Sequence, residues 1–353
     1  MPKKTERDFE ARHLGDIKTE QLKIRNLYEK AIADIYKITG IIKFNGGVFN
    51  ITRYPSFSKK VDDILLTLSK NMTFTLINGA KGQWNLAVNK NAAVIHKNYG
   101  SGKISRAVNR MIYDPQEKAM EEFIHRKING LGLSDRVWKY TNQFRTEIEQ
   151  NLFAGLSEGR SAAAMARDQA KYLEMPDMLY RRVRDASVKT SLQKRELVLS
   201  PDAKRYKPGK GIYRSSYKNA MRLTRDTNND SYRQSDMVRY KTLPFILGYN
   251  VNLSNRHPIT DICDDLQGTY PVTFVWLKWH NQCICSCTSK LASPEEYARY
   301  EQSIIDGTSD KFIFTGRVNE LPANFNSYVE SKQGSMDNWK RKPEWVLQNN
   351  VKI

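Results

Sequence analysis

The sequence predicts a predominantly helical α+β protein, a helical N-terminal region followed by a small mixed α+β domain that carries a Cys/His hairpin. Three observations lead there. Between residues 17 and 173 apolar side chains recur at three- and four-residue intervals, the period of amphipathic helices. Stretches with strand-like character are concentrated between 247 and 288. All four cysteines (Cys263, Cys283, Cys285, Cys287) and two of the five histidines (His257, His280) lie within residues 257–287.

Taken in order, Ile24, Leu27, Tyr28, Ile32, Ile35 and Ile38 predict a helix over 17–39 that Gly40 stops. Residues 41–57, around Gly46-Gly47, predict a short hairpin or an irregular excursion. A second helix is expected over 59–98 with Val61, Ile64, Leu65 and Leu68 on one face, interrupted at Asn78-Gly79 and Lys81-Gly82. Asp114-Pro115 reads as the start of a helix reaching Ile128, and Ser134 or Asp135 as the cap of one running to Leu156. Ser161 is placed to cap a further helix through Leu173. After a basic, poorly periodic stretch at 176–211, residues 213–240 predict one long helix. Leu247–Leu253, Val272–Lys278 and Cys283–Thr288 read as strands, Pro294–Ile305 as a helix, and 311–353 as a turn-rich tail lying over its own domain or a partner. The expected division is a helical region 1–130, a domain 131–292 with a basic insertion at about 176–211, and a C-terminal helix and tail 293–353.

Hydrophobic residues make up 40% of 353 and charged residues 27%, with a mean hydropathy of −0.64. No apolar run approaches the roughly 20 residues of a membrane span, and no apolar signal segment follows Met1. A chain made and kept in a cytoplasm, with reduced cysteines and no membrane partner, is the expectation. The net charge of +19 favours a polyanionic partner. Residues 181–240 hold 16 Lys and Arg against 6 Asp and Glu, with Tyr206, Tyr213, Tyr217, Tyr232 and Tyr240 interleaved. Basic side chains among aromatic rings suit nucleic acid, and Lys204, Arg205, Lys207, Lys210 and Arg214 are the candidate contacts. A solvated basic face is the plainer alternative.

Thiolate and imidazole are the usual zinc ligands. Cys263 with His257, and His280 with Cys283 and Cys285, could supply pairs from two segments separated by a loop, although neither half contains C-x-x-C. Two other readings stand beside the metal: a reduced, buried thiol cluster, and a disulfide from Cys263 to one of the alternating cysteines.

The run His280-x-x-Cys283-x-Cys285, preceded by Asp261-x-Cys263-Asp264 and the turn Gly268-Thr269-Tyr270-Pro271, resembles the end of the phage head morphogenesis domain of the Mu F-like minor head proteins. That family usually ends in His-Pro-x-Cys-Arg-Cys; Asn281 and Ile284 stand here where it prefers Pro and Arg. The helix, Gly-Arg-Ser break and alanine-rich helix over 134–173 resemble it too, as does Thr224-Arg225-Asp226-Thr227, with its acid one position early. The resemblance covers roughly residues 134–290. It implies a minor head (minor capsid) protein of a tailed phage or prophage, acting in procapsid assembly at the portal and in DNA packaging or ejection, without enzymatic activity. The implied partners are the portal, other head proteins and double-stranded DNA bound without sequence preference. The implied location is the procapsid or virion head interior, after synthesis in the bacterial host cytoplasm. For the site, the expected metal ligands are Cys263, His280, Cys283 and Cys285, with zinc as the metal. Arg225, Asp226, His257 and Asp261 are expected around them.

No G-x-x-x-x-G-K-[ST], G-x-S-x-G or H-E-x-x-H motif occurs. The enzymatic alternative is a metal-dependent nuclease built on His257, Asp261, Asp264, Asp265 and His280. A free DNA-binding protein is a third class.

Overall fold

Three long helices organise the computed structural model: α1 (Glu6–Lys37), α2 (Pro55–Tyr99) and, further along the chain, a helix over Ser216–Thr242. The structure describes residues 5–47, 49–175, 182–184, 197–199, 212–254, 260–336, 338–339 and 342–351, with 182–184 and 197–199 as backbone. Between and after the long helices come α3 (Arg106–Tyr113), α4 (Glu117–His125), α5 (Leu133–Leu156), α6 (Ala162–Glu174) and the short antiparallel strands β1 (Arg182–Arg184) and β2 (Leu197–Leu199). The Ser216–Thr242 helix is therefore α7. It is followed by β3 (Ile246–Asn252), α8 (Ile262–Asp265), β4 (Gly268–Tyr270), β5 (Ser286–Leu291), α9 (Pro294–Ile305), α10 (Ala323–Met336) and α11 (Glu344–Gln348). The predominantly helical α+β class is what the sequence predicts. No helix among the described residues is long and apolar enough to cross a membrane.

Two compact units divide the chain, and each collects separate stretches: 1–18, 78–124 and 225–353 in the first, 19–77 and 125–224 in the second. Sequence segments 1–130 and 131–292 each contribute to both units, and 293–353 to the first alone.

In the second unit the helical periodicity becomes packing. Ile24, Tyr28, Ile32 and Ile35 of α1, Val61, Leu65, Leu68 and Met72 of α2, and Val137, Phe144, Ile148 and Leu152 of α5 form one buried cluster. The Tyr28 ring meets Phe144 and Tyr217 edge to face at 4.9 and 5.6 Å. Ser161 caps α6 as expected, its hydroxyl accepting the Ala164 N–H at 3.2 Å. For α5 the N-cap is Gly132, whose N–H donates to Asp135 at 2.9 Å. A Cβ at Gly155 would collide with the Met165 side chain, so Met165 packs over α5 in this position because residue 155 is glycine.

Glu147 of α5 is buried, and it accepts both the Ser216 N–H (2.6 Å) and the Ser216 hydroxyl (2.7 Å) at the start of α7. Burial pushes its carboxyl up to about 8, outweighing the Ser216 hydrogen bonds. With the folded value above the ordinary 4.5, the folded chain binds the extra proton. Its contribution is therefore fully present below pH 4.5 and is lost as pH rises towards 8, on the order of 5 kcal/mol in total. Glu147→Gln is expected to flatten this slope in urea unfolding from pH 5 to 9; an unaltered slope would assign the titration to another group.

In the first unit, the sheet order is β4-β3-β5, antiparallel throughout, with Tyr249 opposite Tyr270 and Val251 opposite Cys287. The β3–β5 register shifts between Ile246 and Gly248. There the Leu247 carbonyl accepts the Val318 N–H at 2.8 Å, and a Cβ on Gly248 would strike Val318. Phe325, Met336, Trp345 and Val346 join the core around the sheet, so the tail packs on its own unit.

Three expectations need correction. Val272–Lys278 is a turn-rich segment, in which the Phe274 N–H donates to the Pro271 carbonyl. Its alternating residues are instead taken up by an aromatic cluster in which Trp276 and Trp279 lie 6.0 Å apart. The last strand begins at Ser286, after the two cysteines Cys283 and Cys285. The helix α2 runs through Asn78-Gly79 and Lys81-Gly82 unbroken for 45 residues; at about 1 kcal/mol per glycine, burial of Leu76, Ala80, Trp84 and Ala87 wins.

Candidate metal centre

The centre is assembled from two segments. Asp261 caps the short helix α8, accepting the Cys263 N–H at 2.7 Å, and so presents Cys263. The second segment, between the Trp-rich turns and β5, bends sharply: Gln282 has a φ of 64°, a left-handed conformation that non-glycine residues seldom adopt. The Cys283 N–H donates to the His280 carbonyl across that bend.

The Sγ atoms of Cys263, Cys283 and Cys285 lie within 4.8 Å of one another, and all three residues are buried. Cys263 Sγ is 3.7 Å from Cys283 Sγ and 3.1 Å from His280 Nε2. Asp261, Cys263 and His280 form a second overlapping group, with Asp261 Oδ2 3.2 Å from His280 Nε2 and both side chains part-exposed. His280 Nδ1 lies 2.8 Å from the Asn281 carbonyl. A proton placed on Nδ1 satisfies that contact and leaves the Nε2 lone pair facing Cys263, the arrangement of a ligating imidazole.

Hydrogen bonding from Cys263, then from Cys285, lowers the Cys283 thiol and favours its thiolate. The contact with Cys283 pushes Cys263 up. Cys285 is raised as well: its contact with Cys263 acts the other way, but its contact with Cys283 and its burial outweigh it. Three neighbouring sulfurs sharing negative charge are a donor set that a metal ion would complete, and this cluster could hold one.

Cys287 is not part of it. Its thiol meets the Asp236 carboxylate at 3.5 Å and the Tyr240 hydroxyl at 3.8 Å, and burial followed by Asp236 pushes it up to about 12. The alternation of 283, 285 and 287 therefore does not carry all three to one face, because the strand starts only at 286.

Of the residues expected around the ligands, Asp226 reaches the site, accepting the Gln282 N–H at 3.1 Å, and Asp261 touches His280 as described. Arg225 makes no hydrogen bond or ion pair with cluster residues among the described residues. His257 lies outside the described residues, as do Lys204, Arg205, Lys207 and Lys210. Arg214 precedes α7, where its carbonyl accepts the Gln143 side chain at 3.1 Å. Tyr217, Tyr232 and Tyr240, read from sequence as aromatics among basic contacts, are core residues instead, and Arg233 and Arg239 are buried with them.

Sequence reasoning missed what α7 does for this loop. Asp226, Asp230 and Arg233 follow at i, i+4 and i+7, one helical face. Asp226 holds the Gln282 N–H, Asp230 takes Lys278 Nζ at 2.8 Å, and Arg233 donates to the Cys285 carbonyl at 3.2 Å. The spacing was available as a signal in a helix otherwise read for its apolar side. Compared with protein-family models, curated proteins and solved structures, the chain matches none.

Proposed function

We propose that the chain is a non-enzymatic minor head protein of a tailed phage or prophage, acting in procapsid assembly at the portal, with zinc fastening its Cys/His hairpin. The observation that supports this reading is convergence: three of the stretches that carry the resemblance meet at one place, Cys263 with His280, Cys283 and Cys285, and Asp226 against Gln282. Thiolates bound at 2.3 Å to a tetrahedral zinc stand about 3.8 Å apart, and Cys263 and Cys283 are separated by 3.7 Å. His280, which lies against Cys263 in the overlapping group, would be the fourth ligand, and a set of four protein ligands suits a structural ion rather than an open catalytic one. Bound by Cys263, His280, Cys283 and Cys285, such an ion would cross-link the loop to α8.

The test uses a particle-producing system. Tagged protein is expected to co-purify with portal complexes, and deletion of the gene to lower the yield of infectious heads. The opposing result is a nuclease activity that Asp261→Ala or His257→Ala abolishes, in a protein that never accompanies the portal; the enzymatic reading would then replace this one.

The same reading places double-stranded DNA beside residues 204–214. Non-specific binding through phosphates weakens steeply with salt. Replacing Lys204, Arg205, Lys207 and Lys210 by Gln is expected to lower that slope by about 3 to 4 units on a log–log plot, measured by DNA retention across a salt series on two unrelated duplexes. Retention that does not change would leave these side chains as a solvated basic face.

A further inference from the structure

Arg233 is fully buried in α7 and its guanidinium makes two kinds of contact at once. Its two terminal nitrogens form a fork on the Glu10 carboxylate, at 2.9 and 2.7 Å, and one of them also donates to the Cys285 carbonyl at 3.2 Å. The planar group is confined by Tyr232 and Trp276, whose ring centroids lie 4.9 and 5.8 Å away. Glu10 belongs to the early turns of α1 and is also 3.6 Å from Lys90. A backbone carbonyl of one candidate ligand residue is thus tied, through one rigid side chain, to a carboxylate 223 positions from Arg233.

We propose that Glu10 and Arg233 form a latch that fixes the Cys283–Cys285 segment in ligand geometry, so that the start of α1 sets how long a metal ion stays bound. The inference rests on the metal reading of the cluster given above. A fork is what this position needs: only a guanidinium can engage both carboxylate oxygens and still reach a carbonyl. Without Glu10 the guanidinium keeps the single longer contact to Asp236 at 3.5 Å but loses the two-point partner that orients it, and the Cys285 carbonyl loses a fixed donor. The Cys283 and Cys285 thiolates then sample other positions, and metal leaves faster. Groups of this kind, one bond removed from the ligands, typically govern 10- to 100-fold in metal affinity.

The experiment uses the full chain loaded with zinc, or with cobalt as a spectroscopic stand-in. Zinc release to a chelating dye is expected to be at least about tenfold faster in Glu10→Gln and in Arg233→Lys, with the thiolate-to-cobalt absorption retained at a shifted position. Ser293→Ala, which removes the cap of α9, serves as a control for general loss of stability and is expected to release zinc at the wild-type rate. Wild-type rates in folded Glu10→Gln overturn the latch. A wild-type chain without thiolate-to-cobalt absorption overturns the metal reading instead. In that case the latch is read in metal-free protein from labelling of Cys283 and Cys285 by an aromatic disulfide reagent. Labelling about tenfold faster in Glu10→Gln than in Ser293→Ala supports it, and equal rates overturn it.

Discussion

Cys283→Ser is expected to empty the centre of metal and to lower stability well beyond the cost of a small core substitution. Cys283 sits 3.7 Å from Cys263, shares its group with Cys285, and is the thiol whose ionised form the other two favour. A serine hydroxyl at this position does not ionise near neutral pH and is a poor zinc ligand. If a metal is bound, its binding free energy is part of the folding free energy, so loss of one ligand costs several kcal/mol on top of the ordinary packing term of about 1 to 3 kcal/mol. Chelation of the wild-type protein is expected to produce the same loss, and Cys283→Ser to be indifferent to chelator. Cys287→Ser is the internal comparison: with its thiol against Asp236 and Tyr240, it is expected to keep a full complement of metal. Elemental analysis and calorimetry with and without chelator decide the matter. A metal-free wild type whose melting is untouched by chelator leaves a packed thiol cluster, and Cys283→Ser then costs only the packing term.

Asp236→Asn is expected to destabilise the first unit by about 3 to 5 kcal/mol. Lys90 and Asp236 are both fully buried and 2.6 Å apart, and Asp236 also accepts from Asn91 at 2.7 Å and faces Arg233 at 3.5 Å. Burial alone would lower Lys90, but Asp236, with Tyr232 and Glu10 behind it, keeps the ammonium charged. Removing the carboxylate charge leaves that ammonium in the core with Glu10 at 3.6 Å as its remaining ion pair, and an incompletely compensated buried charge is costly. Pairing Lys90→Met with Asp236→Leu takes away both charges and is expected to recover part of the loss. Urea unfolding of the single and double variants measures the coupling. Additive losses would show that the two groups do not act as a pair.

How far the sequence could be read depended on the range of the forces involved. Ser161 was legible as a cap because a cap is a contact over three residues, and its hydroxyl accepts the expected N–H. Cys263, Cys283 and Cys285 were legible as a cluster because few residue types share their chemistry. The first turns of α1 were not, because periodic apolar residues begin only near Ile17, while the helix starts from a reciprocal cap between Thr5 and Asp8. Val272–Lys278 misled for the opposite reason: its alternation is real, but Phe274, Trp276 and Leu277 are buried by rings and side chains from distant positions. The polar interior of α7 was invisible locally. Arg233 and Arg239 fell in the stretch whose plainer reading was a solvated basic face, and only partners such as Ala80, Glu10, Lys90 and Asp114, brought in by the fold, make the burial of Ser231, Arg233, Asp236 and Arg239 tolerable.

The interleaving of the two units also has a consequence for the order of synthesis. Every stretch of the second unit has been made once residue 224 has left the ribosome, so it can begin to fold while translation continues. Residues 1–18 belong with a stretch that begins at 225 and ends at 353, and Glu10 must wait for Arg233. The nascent chain therefore carries the Glu10 carboxylate without its Arg233 partner until α7 has been made. Unit one cannot complete its core before 225–353 is made, and a ribosome stalled within that stretch would leave 1–18 and 78–124 without it.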